Sequence, residues 1–245
     1  MKLTLKIWRQ ETPEATGTFR TYEIDADPTM SWLELLDHLN SQQLKAGHEP
    51  VAFDSDCREG ICGNCGLLIN GRPHGDKPNT PACHQRVGER RDGEIITIEP
   101  FRARQFPVLR DLMVDRSALD AIMMSGAYSD TDTGIAPDAD TIGNTHDVAE
   151  SALDMAACIG CGACVAACPN GAANLFTGAK LSHLAQLTIP GRQRRARARA
   201  MTATMEKYFG PCSLYGECAE VCPAGIPLHA VAALVHERAF APAEK

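Results

Sequence analysis

The 245-residue chain has no run of 18 or more apolar residues, so nothing in it could cross a bilayer as a helix. Its first residues, Met1-Lys2-Leu3-Thr4-Leu5-Lys6-Ile7-Trp8, carry neither an apolar export segment nor twin arginines. The expectation is a protein of the cytoplasm or of the cytoplasmic face of the cell membrane, held there peripherally. Net charge is −7, which points away from nucleic acid. No G-x-G-x-x-G opens a helix, and neither G-x-x-x-x-G-K-[ST] nor H-E-x-x-H occurs. No Ser-His-Asp set is readable. The chain therefore lacks a flavin, nicotinamide or nucleotide site of its own, and no catalytic residue is expected in it. Substrate chemistry would belong to a partner.

What the chain does have is cysteine. There are eleven, an odd number that argues against a disulfide framework. Cys57, Cys62, Cys65 and Cys83 form C-x4-C-x2-C-x17-C. Cys158, Cys161, Cys164 and Cys168 form C-x2-C-x2-C-x3-C-P, and Cys212, Cys218 and Cys222 form C-x5-C-x3-C-P. The first spacing is that of plant-type [2Fe–2S] proteins, and the second is the bacterial two-cluster ferredoxin run. Zinc is the competing reading. Zinc sites use cysteine in pairs, without a third and fourth thiol at x2 and x3 before a proline.

In the loop from Cys57 to Gly66, glycines at 60, 63 and 66 let the backbone curl and free N–H groups for sulfur. His74 and His84 lie near Cys83. A Rieske centre would use two histidines, but four cysteines are available, and both are read as non-ligands.

The last two runs align as a duplication. In two-cluster ferredoxins the fourth cysteine of each run crosses to the other cluster. By that rule Cys158, Cys161, Cys164 and Cys222 hold a [4Fe–4S] cluster. Cys168, Cys212 and Cys218 hold one that lacks a fourth thiolate, because Tyr215 stands where the second run needs cysteine. The simplest product is [3Fe–4S]. A [4Fe–4S] cluster with one open iron is the rival.

The rest of the pattern predicts an α+β chain. Leu3–Trp8 and Phe19–Ile24 alternate as strands, with Pro13 and Gly17 in the turn between them. Ser31 and Glu34 form a capping box ahead of a helix carrying Trp32, Leu35, Leu36 and Leu39, which ends near Gly47. Leu67–Arg72 enters an Asn-Gly turn, and Ile95–Glu99 is a late strand. The predicted domains are 1–105, a ferredoxin-like sheet around the first cysteine loop, and 106–245, all helical.

Within the second domain, Leu109, Leu112, Met113, Leu119, Ile122 and Met123 recur near helical spacing behind Pro107. Further helices are expected over Ala149–Ala157, Ala172–Leu187, Ala196–Tyr208 and Leu228–Phe240, the last with Leu228, Val231, Leu234 and Val235 on its face. Asp111–Asp154 holds ten acids against one base, Arg116, and is read as solvated, with a docking surface as the alternative. Gly191–Arg199 holds five arginines, read as a solvated helix face, with anionic lipid or a partner as the alternative.

On these residues the chain resembles the iron–sulfur subunit of the succinate dehydrogenase/fumarate reductase family over nearly its whole length. The carriers are Cys57–Cys65 as C-R-E-G-I-C-G-x-C, then Phe106-Pro107-Val108-Leu109-Arg110-Asp111-Leu112, then both C-terminal runs with a non-cysteine at 215. The resemblance implies a β-grasp [2Fe–2S] domain followed by a two-cluster domain. It also implies a flavoprotein partner with covalent FAD and a membrane-anchor subunit where quinone reacts, near Pro169, Ser213 and Tyr215.

Many ubiquinone-linked members carry Trp shortly after the proline at 169 and His beside the cysteine at 212. Here Asn170-Gly171-Ala172-Ala173 and Ser213 stand there, which shifts the expectation toward menaquinone or a haem-bearing anchor. The stretch between Cys65 and Cys83 is longer than is usual in the family. Succinate oxidation and fumarate reduction both fit. A diffusing multi-cluster ferredoxin, or the wiring subunit of another flavin dehydrogenase, are the other readings.

Overall fold

The computed structural model describes residues 1–128 and 143–239. Strand β1, Lys2–Arg9, buries alternate residues Leu3, Leu5 and Ile7, as its two-residue period requires. It pairs antiparallel with β2, Thr18–Asp25, in the register Leu5 opposite Tyr22. Helix α1, Trp32–Lys45, starts on the predicted capping box. The Ser31 N–H donates to Glu34 Oε2 at 2.6 Å, and the Glu34 N–H donates to Ser31 Oγ at 3.3 Å. Its inner face buries Trp32, Leu33, Leu35, Leu36 and Leu39, and Gly47 follows its end at φ +73°.

Strand β3, Leu67–Ile69, turns through Asn70 and Gly71, both with positive φ, into β4, Arg72–Pro73. Strand β5, Ile95–Pro100, lies parallel to β1 and antiparallel to β3. The five strands run in the order β2-β1-β5-β3-β4. The first core lies between this sheet and α1 and reaches Cys65 and Cys83.

Residues 106–116 depart from the expected helix. They form a hairpin of β6, Val108–Arg110, and β7, Met113–Val114. Asp111 takes φ +46° at its tip, and its buried carboxylate accepts from the backbone N–H of Gln10 and Ala52 while pairing with Arg9 at 3.0 Å. The helical spacing of Leu109, Leu112 and Met113 is thus coincidental, and Leu109 is exposed. Leu119 and Ile122 do lie on a helix, α2, Ser117–Ile122, which runs into a π turn over Met123–Ala127.

After residue 142 the described chain is helical: α3 His146–Ala156, α4 Ala163–Ala167, α5 Asn174–Gln186, α6 Gly191–Tyr208, α7 Glu217–Glu220, a 3₁₀ turn Leu228–Val231, and α8 Ala232–Ala239. Phe240, the expected end of the last helix, lies outside the described residues, as does the acidic stretch between 129 and 142. Val231 and Leu234 face the core, but Val235 is exposed, because the 3₁₀ start rotates the apolar stripe. Among the described residues no helix is long and apolar enough to cross a membrane.

The arginine run is not a uniformly solvated face. Arg197 is buried, donates to the Tyr128 carbonyl at 2.5 Å and stacks on the Tyr128 ring. Asp111 likewise leaves the group of solvated acids.

Candidate iron–sulfur sites

The first cysteine loop leads into β3 and places Cys65 at the edge of the core beneath α1. Gly60 and Gly63 take φ +75°, as the tight curl predicts. Gly66 serves a different need: a Cβ there would lie 2.8 Å from the Phe101 ring. Backbone N–H groups converge on sulfur. Glu59 and Cys62 donate to Cys57 Sγ at 3.3 Å, and Asn64 donates to Cys62 Sγ at 3.4 Å. Donation from Glu59 and Ile61 pulls the Cys57 thiol down to about 7, so it is a ready thiolate. Cys65 is the opposite case. Burial pushes it up to about 12, reinforced by the charges of Cys83 and Cys62. Cys65 and Cys83 are buried at the edge of the first core, and Cys57 and Cys62 are partly exposed.

The long interval before Cys83 is filled by the β3–β4 hairpin and a 3₁₀ turn over Ala82–His84. Gln85, buried, ties that interval down by donating to the Thr80 carbonyl at 2.8 Å. His74 is buried. Its Nδ1 accepts from the Ala82 N–H at 3.3 Å, and burial lowers it to about 4, so it stays neutral.

In the second half, Cys158, Cys161, Cys164 and Cys222 line one cavity together with Phe176 and Ile226. Burial raises Cys161 to about 12, and it feels the charges of Cys158, Cys222 and Cys65. Burial also raises Cys164 well above the ordinary thiol value, with Cys161, Cys158, Cys222 and, least, Cys218 adding to it. Cys218 belongs to a different set. Burial raises it, opposed by the Ala219 N–H, and its charged neighbours are Cys212 and Cys168. Cys222, the last cysteine of the second run, thus lines the cavity of the first run's thiols, and Cys168, the last of the first run, is a charged neighbour of Cys218.

The donor sets fit polynuclear clusters. The thiols are met by backbone N–H groups at Cys57, Cys62 and Cys222, and those of Cys158, Cys161, Cys164 and Cys222 sit in a largely apolar cavity. Among the described residues no group of three or more His, Cys, Asp or Glu side chains is drawn together closely enough to hold a single metal ion.

A family model described as a 2Fe-2S iron-sulfur cluster binding domain matches residues 4–121, and one described as a 4Fe-4S dicluster domain matches residues 157–226. The chain is 30% identical over 234 residues to the fumarate reductase iron-sulfur subunit of Mycobacterium tuberculosis, covering 87% of this chain and 82% of that relative. The chain belongs to the succinate dehydrogenase/fumarate reductase iron–sulfur subunit family. A second member, the succinate dehydrogenase iron-sulfur subunit of Bacillus subtilis, is 27% identical over 239 residues, 91% of this chain and 86% of the relative. The fold matches a chain of the Mycobacterium smegmatis Sdh1 complex in the apo form, with a TM-score of 0.71, 21% identity and 99% coverage of both chains.

Of the three residues expected near quinone, Pro169 and Ser213 are linked through Asn170. Pro169 borders an open pocket with Cys168, Asn170 and Tyr208. Ser213 accepts from Asn170 Nδ2 at 2.7 Å. Tyr215 is 66% exposed and does not line that pocket. Sequence reasoning missed two cations at the sites. Lys180 Nζ donates to the Cys158 carbonyl at 2.9 Å, and Arg116 reaches backbone carbonyls of two cysteine loops. Backbone acceptors leave no signature in a sequence.

Proposed function

We propose that this chain is the electron-carrying subunit of a membrane-associated succinate:quinone oxidoreductase. Cys57, Cys62, Cys65 and Cys83 would hold [2Fe–2S]. Cys158, Cys161, Cys164 and Cys222 would hold [4Fe–4S], and Cys168, Cys212 and Cys218 would hold [3Fe–4S]. When bound, these clusters take up and release one electron at a time at fixed places in the protein. The observation that carries the reading is that Cys222, from the second run, lines one cavity with Cys158, Cys161 and Cys164 of the first. The charged neighbours of Cys218 are Cys212 and Cys168, which supports the converse crossing.

The chain's own groups hold, insulate and tune. The N–H donors to Cys57 favour thiolate there. Likewise the Ile226 N–H, 3.4 Å from Cys222 Sγ, steadies the crossing thiolate. Phe176 and Ile226 keep water from the four-thiol cavity. The finer fold reading is a β-grasp sheet to about residue 105, then a two-cluster domain whose first element is the β6–β7 hairpin.

By this reading a flavoprotein subunit with covalent FAD stands at the [2Fe–2S] end, and a membrane anchor with quinone stands at the other, on the cytoplasmic face. Asn170-Gly171-Ala172-Ala173 and Ser213 favour menaquinone or a haem-bearing anchor. The same wire serves fumarate reduction when the potentials run the other way.

Purification from detergent-solubilised membranes tests the proposal. The expected preparation contains a flavoprotein and a membrane subunit, with flavin and haem read by absorbance. Recovery as a lone soluble protein would refute it in favour of a diffusing ferredoxin.

A further inference from the structure

Arg116 stands just before α2, at the seam between two cysteine loops. Its Nη1 donates to the carbonyl of Gly63 at 2.6 Å and to that of Cys161 at 3.1 Å, and its Nη2 donates to Asn64 Oδ1 at 2.6 Å. Gly63 and Asn64 lie between Cys62 and Cys65, while Cys161 belongs to the first ferredoxin run. One planar guanidinium thus bonds both loops at once. Its rigid fork of donors suits that geometry, and the compact ammonium of a lysine does not.

The loops themselves meet at backbone distance. A Cβ on Gly63 would lie 2.4 Å from the Ile159 carbonyl oxygen and 3.0 Å from the Cys161 nitrogen. Among the described residues no carboxylate ion-pairs with Arg116. Its charge is felt as far as Asp54 and His74. Reducing a cluster adds negative charge, so a fixed cation nearby favours the reduced form and raises the potential.

We propose that Arg116 is a positioning residue for electron transfer between the first two centres. It clamps their loops at a fixed separation, and its charge raises both midpoint potentials. The proposal rests on the cysteine assignment given above for the [2Fe–2S] and [4Fe–4S] sites.

The test uses the purified membrane complex carrying Arg116→Gln or Arg116→Lys in this chain. Redox titration followed by EPR reads each midpoint. Enhancement of one centre's spin relaxation by the other reads their separation. Arg116→Gln is expected to lower the midpoints of both the [2Fe–2S] and [4Fe–4S] centres and to weaken their mutual relaxation, while the centre at Cys168, Cys212 and Cys218 keeps its midpoint. Arg116→Lys is expected to restore the midpoints without restoring the relaxation.

Unmoved midpoints in Arg116→Gln, an equal shift of all three centres, or Arg116→Lys as low as Arg116→Gln would each overturn the proposal. If Arg116→Gln does not assemble, Gly63→Ala supplies the second arm. It keeps the charge and forces the loops apart, so the relaxation is expected to fall. Relaxation equal to that of the unaltered complex would contradict the clamp. Absence of these two signals from the unaltered complex would refute the cysteine assignment instead.

Discussion

The two ferredoxin runs share a spacing and differ in their surroundings. In the first, Cys161, Ala163 and Val165 are buried, and Leu175 and Phe176 from α5 close over the thiols. In the second, Leu214 and Tyr215 are each 66% exposed, and α7 buries none of its residues. Cys222 is the buried cysteine of that run, and it is the one that crosses into the first group. The repeated spacing therefore sets which thiols converge, and the packing around them sets how close an outside partner can come. The enclosed site suits a relay inside the protein. The exposed one, short of a thiolate, suits an end of the wire.

Cys222→Ser is expected to have the largest effect. By the crossing it removes a ligand from the first run's site, so the [4Fe–4S] EPR signal is lost even though the residue lies in the second run. Loss of the other centre alone would show that the runs do not exchange ligands. Side-chain truncation gives a smaller contrast. Phe176→Ala removes a buried ring and is expected to cost about 3–5 kcal/mol. Leu214→Ala, on the exposed run, is expected to stay within about 0.5 kcal/mol. Thermal melting of the two variants compares them, and equal losses would erase the distinction.

The smallest contrast lies in two corresponding glycines. Gly162 and Gly216 cap α4 and α7 with φ +86° and +95°. Alanine at either pays about 1–2 kcal/mol for a left-handed backbone. At Gly162 it also meets the Phe106 ring at 2.8 Å, whereas at Gly216 the nearest atom, on Leu228, is 3.9 Å away. Gly162→Ala is expected to melt at the lower temperature. The reverse order would mean that the second run is the more tightly packed.

The parts of this molecule that were legible in the sequence are those fixed by local rules. Alternation placed β1, the Ser31–Glu34 box placed α1, and cysteine spacing with the crossing rule named Cys158, Cys161, Cys164 and Cys222, which line one cavity. The 106–116 hairpin was not legible, because its cause is tertiary. Asp111 holds a left-handed turn only because Arg9, Gln10 and Ala52, far away in the chain, meet its carboxylate. Arg197 escaped for the same reason: an arginine among arginines gives no sign that it is the buried one. Arg116 was counted as the one base in an acidic stretch, yet its partners are two backbone carbonyls and the side chain of Asn64.

The central claim is that the second site carries three thiolates because Tyr215 replaces a cysteine. EPR of the oxidised complex, with and without Tyr215→Cys, tests it most directly. The account predicts a three-iron signal in the unaltered protein that is lost, or converted to a four-iron centre, in the variant. A three-iron signal of unchanged intensity in Tyr215→Cys would contradict it.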